Sequence, residues 1–307
     1  MTQDGLAVSI SFEARYGAGQ DRTLVLGGGG LFFVAWQVAY LHELDKAGVR
    51  LNSAEVVVGT SAGSLIAAVL TAGRLGRLAA ETAFMSKRPS LLAALAPASG
   101  LNESQLRAVQ MFREATNADP VTVRGIGHAA LAADTPSSAQ MRRHIGLVVA
   151  KRVWPSPALK ISTVDAFSGQ RLIITDKAGV SPVRAVAASS AVPGLFSPQP
   201  LLDRRCMDGG VSGTGSHCDV VAGSGRALVI SMLALSNKDY SGMTNAVGGF
   251  DREVSALAET GTRVMARGPE HVEEDELMSP TSVVSAMSQG RRQAIHDLPE
   301  VAAFWGS

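Results

Sequence analysis

Residues 55–70 read EVVVGTSAGSLIAAVL. The apolar run before Gly59 predicts a short buried strand, and the run after Gly63 predicts a helix that ends near Gly73. The pentapeptide between them matches the G-x-S-x-G pattern, in which small residues let the chain bend sharply and leave the serine hydroxyl projecting from the turn. The helix N-terminus points at that hydroxyl, where its dipole favours negative charge. Ser61 is therefore the candidate nucleophile, supported by Gly59 and Gly63.

The five letters alone also fit an ordinary tight turn in which Ser61 caps a helix. The position of the match favours the functional interpretation, because the pattern occurs once in the chain and falls where a predicted strand meets a predicted helix. The chain is accordingly a candidate serine hydrolase.

A run of four glycines, residues 27–30, follows another predicted strand at residues 23–26. Consecutive glycines leave backbone amides free to point at an anion. A dinucleotide-binding loop needs a third glycine where this chain has Phe33, and a P-loop needs a lysine that this run lacks. We therefore rank nucleotide binding last and favour an oxyanion hole, whose amides serve the intermediate formed at Ser61.

A third motif, Asp208-Gly209-Gly210, follows a segment rich in small residues and proline at residues 187–198. The glycine run, the G-x-S-x-G turn, this segment and the Asp-Gly-Gly occur in the order found in patatin-like phospholipases. Over about residues 20–235 the chain resembles that family. Each motif alone is unspecific, and Asp-Gly by itself is a common turn dipeptide, but the ordered set is distinctive.

The resemblance implies a Ser-Asp dyad instead of a triad. Ser61 would attack an ester carbonyl, and Asp208 would accept its proton and later activate the water that hydrolyses the acyl-enzyme. A carboxylate becomes an adequate base when the hydroxyl is held against it and nearby amides stabilise the alkoxide. The candidate oxyanion donors are the amides of Gly28, Gly29, Gly30 and Ala62, and the motif-supporting glycines are Gly59, Gly63, Gly209 and Gly210.

Two departures from the family pattern bear on the substrate. Residues 31–33 read LFF where many relatives have Lys or Arg followed by Gly, and residues 212–217 replace an Asn-x-Pro segment. Ester hydrolysis remains the expectation, whereas the head group, the acyl length and transfer to an alcohol instead of water stay open. A degenerate member that binds lipid without turnover is the alternative from another class.

A Ser-His-Asp enzyme of the α/β-hydrolase type is the other alternative. Its order of Ser, Asp and then His is met by Asp208 with His271 or His296. None of the six histidines has a distinctive flanking pattern, so we interpret all of them as surface residues or residues with structural partners. They are His42, His128, His144, His217, His271 and His296.

Composition and charge restrict the partners. With 46% hydrophobic residues and a net charge of +1, the 307-residue chain can bury a large core and has no global field for nucleic acid. We expect no metal or cofactor, and Cys206 and Cys218 as reduced thiols in a cytoplasmic protein. No signal peptide or membrane span is predicted. The substrate, a lipid or another acyl ester, would be met through peripheral membrane contact or as dispersed molecules.

Alternating strands and helices predict an α/β fold, a three-layer sandwich with a mostly parallel central sheet and helices on both faces. We predict a catalytic domain at residues 21–235 after an extension at 1–20, and a mainly helical part at 236–307 packed on the same domain. Residues 88–150 would be a helical cover or a cap over the acyl site. The predicted strands are 24–26, 56–58, 159–164, 171–175 and 227–233, with an edge strand at 262–265, and the predicted helices are about 33–47, 62–72, 75–87 and 182–190.

Overall fold

The computed structural model describes residues 11–88, 100–234 and 243–306. Within these ranges, eight strands form one mixed sheet: β1 (Arg22–Leu26), β2 (Val56–Gly59), β3 (Leu159–Asp165), β4 (Arg171–Ile174), β5 (Gln199–Leu201), β6 (Arg204–Asp208), β7 (Arg226–Ile230) and β8 (Arg263–Arg267). The helices are α1 (Gly30–Lys46), α2 (Ala62–Thr71), α3 (Leu75–Ser86), α4 (Glu103–Arg113), α5 (Pro120–Ala132), α6 (Ser138–Val149), α7 (Pro182–Ser189), α8 (Gly249–Glu259) and α9 (Val283–Trp305). No helix in the described ranges is long and apolar enough to cross a membrane.

The sheet is parallel at its centre and antiparallel at one side. Its order is β5-β6-β3-β2-β1-β7-β8, and β4 also pairs with β3. The five strands from β3 to β8 in this order run parallel, whereas β4 and β6 run antiparallel to β3. The mostly parallel sheet confirms the predicted fold class, and β8 lies at the edge where a strand was predicted.

Helices cover both faces of the sheet. Leu24 and Leu26 of β1 belong to the core formed with α1, α2 and α9, whereas Val25 between them belongs to a second core that includes Phe250 and Leu257 of α8. Neighbouring residues of a strand point to opposite faces, so these two cores lie on opposite sides of the sheet. The arrangement is a three-layer α/β sandwich.

The helices α4 and α5 pack against the sheet. Phe112 of α4 and Ile126 of α5 share a buried cluster with Val164 of β3 and Met207 of β6. These contacts join α4 and α5 to the β3–β6 side of the sheet. The sequence pattern also indicates helices at 106–112 and 91–95; the first is present as α4, and the second lies outside the described residues.

Two strands were not predicted from the sequence. β5 and β6 form a short antiparallel pair, and β6 is also antiparallel to β3. The predicted strand at 227–233 is also shorter, since β7 ends at Ile230 and the chain turns at Ser231–Ala234. β6 matters most for the site, because Asp208 is its last residue.

Candidate active site

Ser61 lies on a sharp turn between β2 and α2. Its backbone has φ 51° and ψ −119°, a region that residues other than glycine seldom occupy. The turn needs the two flanking glycines, because a Cβ at Gly63 would lie 2.0 Å from the Leu26 carbonyl oxygen and one at Gly59 would lie 2.6 Å from the Ser64 Cα. The strand-turn-helix geometry predicted for residues 59–63 is therefore present.

Side chains from neighbouring elements hold this turn. The Ser61 amide donates to Ser189 Oγ at the end of α7, over 2.9 Å. The Thr60 hydroxyl forms a 2.6 Å hydrogen bond with the Ser162 hydroxyl of β3. Ser61 itself is only 8% exposed. These contacts offset the backbone strain and keep the serine in one orientation.

The sheet brings Asp208 to the same place. A strand has two edges. Ile161 of β3 lies between β2 and β4, and Val164 of β3 lies between β4 and β6. Because β4 occupies the same edge at both residues, β2 and β6 share the other edge. Gly59 ends β2 opposite Ile161, and Asp208 ends β6 opposite Thr163, two residues further along β3. Because β6 is antiparallel, its C-terminal end approaches the end of β2, where Ser61 follows.

The Asp208 carboxyl group is 3% exposed and incompletely satisfied. Its Oδ1 accepts a 2.8 Å hydrogen bond from the Gly210 amide. Its Oδ2 is buried and has no hydrogen-bond partner among the described residues. Burial raises the pKa of Asp208 to about 6, while the Ser61 hydroxyl and the Gly210 amide act in the opposite direction. A carboxylate with a pKa near neutrality suits general-base chemistry.

The glycine run lies beside Ser61. A Cβ at Gly28 would lie 3.1 Å from Ser61 Cβ, at Gly29 2.2 Å from Met232 Sδ, and at Gly30 2.5 Å from the Leu277 carbonyl oxygen. Side chains are therefore excluded from the loop by its surroundings. Gly27 is already bonded through its amide to Ile230.

Four amides near Ser61 remain available. Within the described part of the chain, the amides of Gly28, Gly29, Gly30 and Ala62 have no hydrogen-bond acceptor. Gly30 and Ala62 are also the first residues of α1 and α2. Two helix N-termini therefore meet near the serine, and both favour negative charge there.

Phe33, which departs from the family pattern, points into the core. It is fully buried and stacks on Trp36 with ring centroids 5.6 Å apart. The bulky ring is therefore accommodated by α1 packing and does not project into the loop. The position of Phe33 also restricts residue 29 to glycine, since a Cβ added there would lie 2.6 Å from Phe33 Cβ.

Comparison with family models matches residues 24–215 to the patatin-like phospholipases. The chain belongs to this family. Comparison with curated protein sequences finds no match. Among solved structures, the type III effector protein ExoU is 20% identical with a TM-score of 0.37, covering 93% of this chain and 54% of ExoU. VipD from Legionella pneumophila is 12% identical with a TM-score of 0.43, covering 98% of this chain and 71% of VipD. The chain thus spans about half the length of ExoU.

Three histidines of this family member, His217, His271 and His296, have partners other than Asp208. His271 pairs with Glu273, and His296 pairs with Asp297, both with largely exposed imidazoles. His217 is buried, and its Nε2 lies 3.1 Å from the carbonyl oxygen of Gly209. Burial, together with the charge of Arg171, lowers the pKa of His217 to about 3.

Several polar residues around the site were not found from the sequence. They are Ser189, which bonds the Ser61 amide, Arg171 and Asp219, which form a buried ion pair, and Glu253 of α8, which bonds the loop after Asp208. Ser189 falls inside the small-residue segment that belonged to the motif set. The other three stand far apart in the chain with no motif around them, so the sequence carries no signal for them.

The two cysteines are free and buried. Burial raises the pKa of the Cys206 thiol to about 12 and that of Cys218 well above its usual range. Both are therefore neutral thiols and unreactive as nucleophiles at neutral pH.

Proposed function

We propose that this patatin-like phospholipase is a lipid acyl hydrolase that cleaves carboxylic esters through an acyl-Ser61 intermediate, with Asp208 as general base. Family membership supports a lipid-hydrolysing enzyme. The observation that carries the residue assignment is the buried Asp208 carboxyl group, which lies close enough to the Ser61 hydroxyl for that hydroxyl to lower its pKa. Its unsatisfied Oδ2 offers a place for the serine proton.

In the first half of the reaction, Ser61 Oγ attacks the ester carbonyl carbon while its proton passes to Asp208. The carbonyl oxygen becomes an oxyanion, for which the amides of Gly28, Gly29, Gly30 and Ala62 are the donors. When the tetrahedral intermediate collapses, the bond from the acyl carbon to the alcohol oxygen breaks. The alcohol leaves with the proton from Asp208, and the acyl group stays on Ser61.

In the second half, Asp208 takes a proton from a water molecule, which attacks the acyl-Ser61 ester. Collapse of this second intermediate releases the carboxylic acid and returns the proton to Ser61 Oγ. The same carboxylate therefore serves as base, acid and base again, which requires a pKa near the working pH. An Asp208 pKa of about 6 meets this requirement.

Labelling with a fluorophosphonate, which phosphonylates activated serines, tests the assignment. We expect Ser61→Ala to abolish labelling and Asp208→Asn to slow it by about 100-fold or more. The matched control is Ser285→Ala, an exposed serine on α9, which should label at the wild-type rate. A Ser61→Ala variant that labels fully would refute the proposal.

The same assay separates the alternatives. His271→Ala and His296→Ala should label like the wild type, and loss of labelling in either would point to a triad. No labelling of the wild type, combined with saturable binding of acyl chains, would instead identify a lipid-binding member without turnover. A screen of phospholipid, glyceride and short esters on the labelled enzyme then defines the substrate.

A further inference from the structure

The turn after Asp208 determines how its carboxylate is held. Gly209–Val211 forms a 3-10 turn that directs the Gly210 amide onto Asp208 Oδ1. Gly209 is packed so closely that a Cβ would lie 2.3 Å from Ser162 Oγ. The carbonyl group of Gly209 belongs to the same peptide unit as the Gly210 amide. Whatever fixes that carbonyl therefore also fixes the amide that bonds Asp208.

The group that bonds this carbonyl is the imidazole of His217. Arg171 Nη1 lies 3.1 Å from His217 Nδ1, and a guanidinium can only donate. Nδ1 must then be the acceptor, so the ring proton sits on Nε2 and is donated to Gly209 O over 3.1 Å. Burial keeps the ring neutral by lowering the His217 pKa. The tautomer is thus determined by Arg171.

A buried charged cluster anchors the imidazole. Arg171 of β4 forms two hydrogen bonds with Asp219, of 2.7 and 2.6 Å, and both side chains are almost fully buried. Glu253 of α8 accepts from the Cys218 amide over 2.7 Å and from the Thr214 hydroxyl. Among the described residues, Arg171 and Asp219 are the charged groups that act on His217, while Glu253 fixes the loop between the 3-10 turn and Cys218.

We propose that His217 is a positioning residue, which holds the Gly209–Gly210 peptide so that the Asp208 carboxylate keeps the hydrogen bond that orients it. The inference rests on the proposed function, since it assumes that Asp208 is the base. It assigns the buried histidine a role unlike that of a triad histidine, because the imidazole acts on the backbone and not on Ser61. The φ of 56° at His217 is a conformation in which His and Asn are enriched.

Three variants of His217 separate its contacts. His217→Gln retains a donor and an acceptor on one planar group of similar reach. His217→Asn retains a polar group near the Nδ1 position for Arg171 but is too short for Gly209 O, and Asn tolerates the positive φ. His217→Leu retains neither contact. We expect fluorophosphonate labelling of Ser61 to slow about 10- to 100-fold in the Asn and Leu variants, because small displacements of a catalytic group have effects of this size. The Gln variant should stay within about 3-fold of wild type.

The pH profile distinguishes positioning from a general structural role. The Gly210 amide lowers the pKa of Asp208, so loosening it should raise that pKa. The pH at which the labelling rate is half-maximal should therefore move upward in the Asn and Leu variants and remain in place in the Gln variant. A folded Asn variant with the wild-type rate and the wild-type pH midpoint would overturn the inference, whether or not the Leu variant folds.

A measurement without catalysis keeps the two proposals apart. The stability difference between each His217 variant and its Asp208→Asn double mutant, followed against pH, reports the pKa of Asp208 through linkage. A higher Asp208 pKa in the His217→Asn protein than in the wild type supports positioning. An unchanged Asp208 pKa overturns it. Absence of Ser61-dependent labelling in the wild type would refute the proposed function, while this titration would still decide whether His217 acts on Asp208.

Discussion

Asp208 combines burial with an incomplete set of hydrogen bonds. Its ordinary pKa is 3.8, and burial raises this to about 6 in the folded protein. Below pH 3.8 the folded and unfolded states both carry the proton, so Asp208 does not make the free energy of unfolding depend on pH. Above about pH 6 both have lost it, and the folded state then holds an unfavourable buried charge. The ionised carboxylate therefore destabilises the fold at neutral pH, a trade-off common at active sites.

We predict that Asp208→Asn stabilises the protein while it removes activity. The gain should be roughly 1–3 kcal/mol above pH 7 and should vanish as the pH falls from about 6 to about 4, since each pKa unit corresponds to about 1.4 kcal/mol. Urea unfolding of both proteins at pH 4, 6 and 8 measures it. Asp219→Asn is the control of opposite sign, because it leaves Arg171 buried without its carboxylate and should destabilise by roughly 3–5 kcal/mol. A pH-independent effect of Asp208→Asn would contradict the assigned pKa.

At the scale of elements, the junction of β1, β2 and α2 depends on close backbone contact. Gly63 lies in the first turn of α2, where any Cβ would meet the Leu26 carbonyl oxygen at 2.0 Å. Backbone at this position cannot move aside without separating α2 from β1. The turn that presents Ser61 is therefore part of the packing between helix and sheet.

This packing predicts opposite effects for two helical glycines. Gly63→Ala should lower the free energy of unfolding by about 2–4 kcal/mol, since overpacking against backbone is not relieved by a side-chain rotation. Gly146→Ala on α6, where the added Cβ would lie an ordinary 3.8 Å from Val183 Cγ1, should stabilise by up to about 1 kcal/mol through helix propensity. The midpoints of urea unfolding of the two variants, each compared with the wild type, measure these effects. Equal effects of the two substitutions would show that α2 can shift away from β1.

The elements differ in how well the sequence predicts them. β1, β2 and α2 were predicted because their apolar runs are followed by glycines, and these local signals agree with the final structure. β6 was missed because its residues RRCMD alternate poorly and carry two arginines. The pairing of β6 with β3 is a tertiary contact, and this pairing brings Asp208 to Ser61. The motif order therefore singled out the two residues as candidates, whereas the sheet register that brings them together required the structure.

At the scale of the whole molecule, side-chain hydrogen bonds join α1 and α9, the first and last helices of the described residues. Trp36 and Tyr40 of α1 bond Gln293 and Asp297 of α9 over 2.8 and 2.9 Å. Gln293 also donates to the Gly268 carbonyl over 2.9 Å. Its amide therefore links α1 with the chain that follows β8. Residues near both ends of the described chain thus share the core that supports the glycine run.

We therefore predict that the C-terminal part and the catalytic core unfold together. Gln293→Leu should lower the free energy of unfolding by about 2–4 kcal/mol, because the buried Trp36 indole N–H and Gly268 carbonyl lose their partner. Helical circular dichroism and Ser61 labelling should be lost at the same urea concentration, with an unchanged labelling rate in the folded protein. The control is Gln289→Leu, one turn earlier, whose side-chain amide donates an exposed hydrogen bond to the His271 carbonyl oxygen, and its effect should stay within about 0.5 kcal/mol. If helicity fell before labelling, α9 would be a separate unit, and the support that α1 gives the active site would not depend on it.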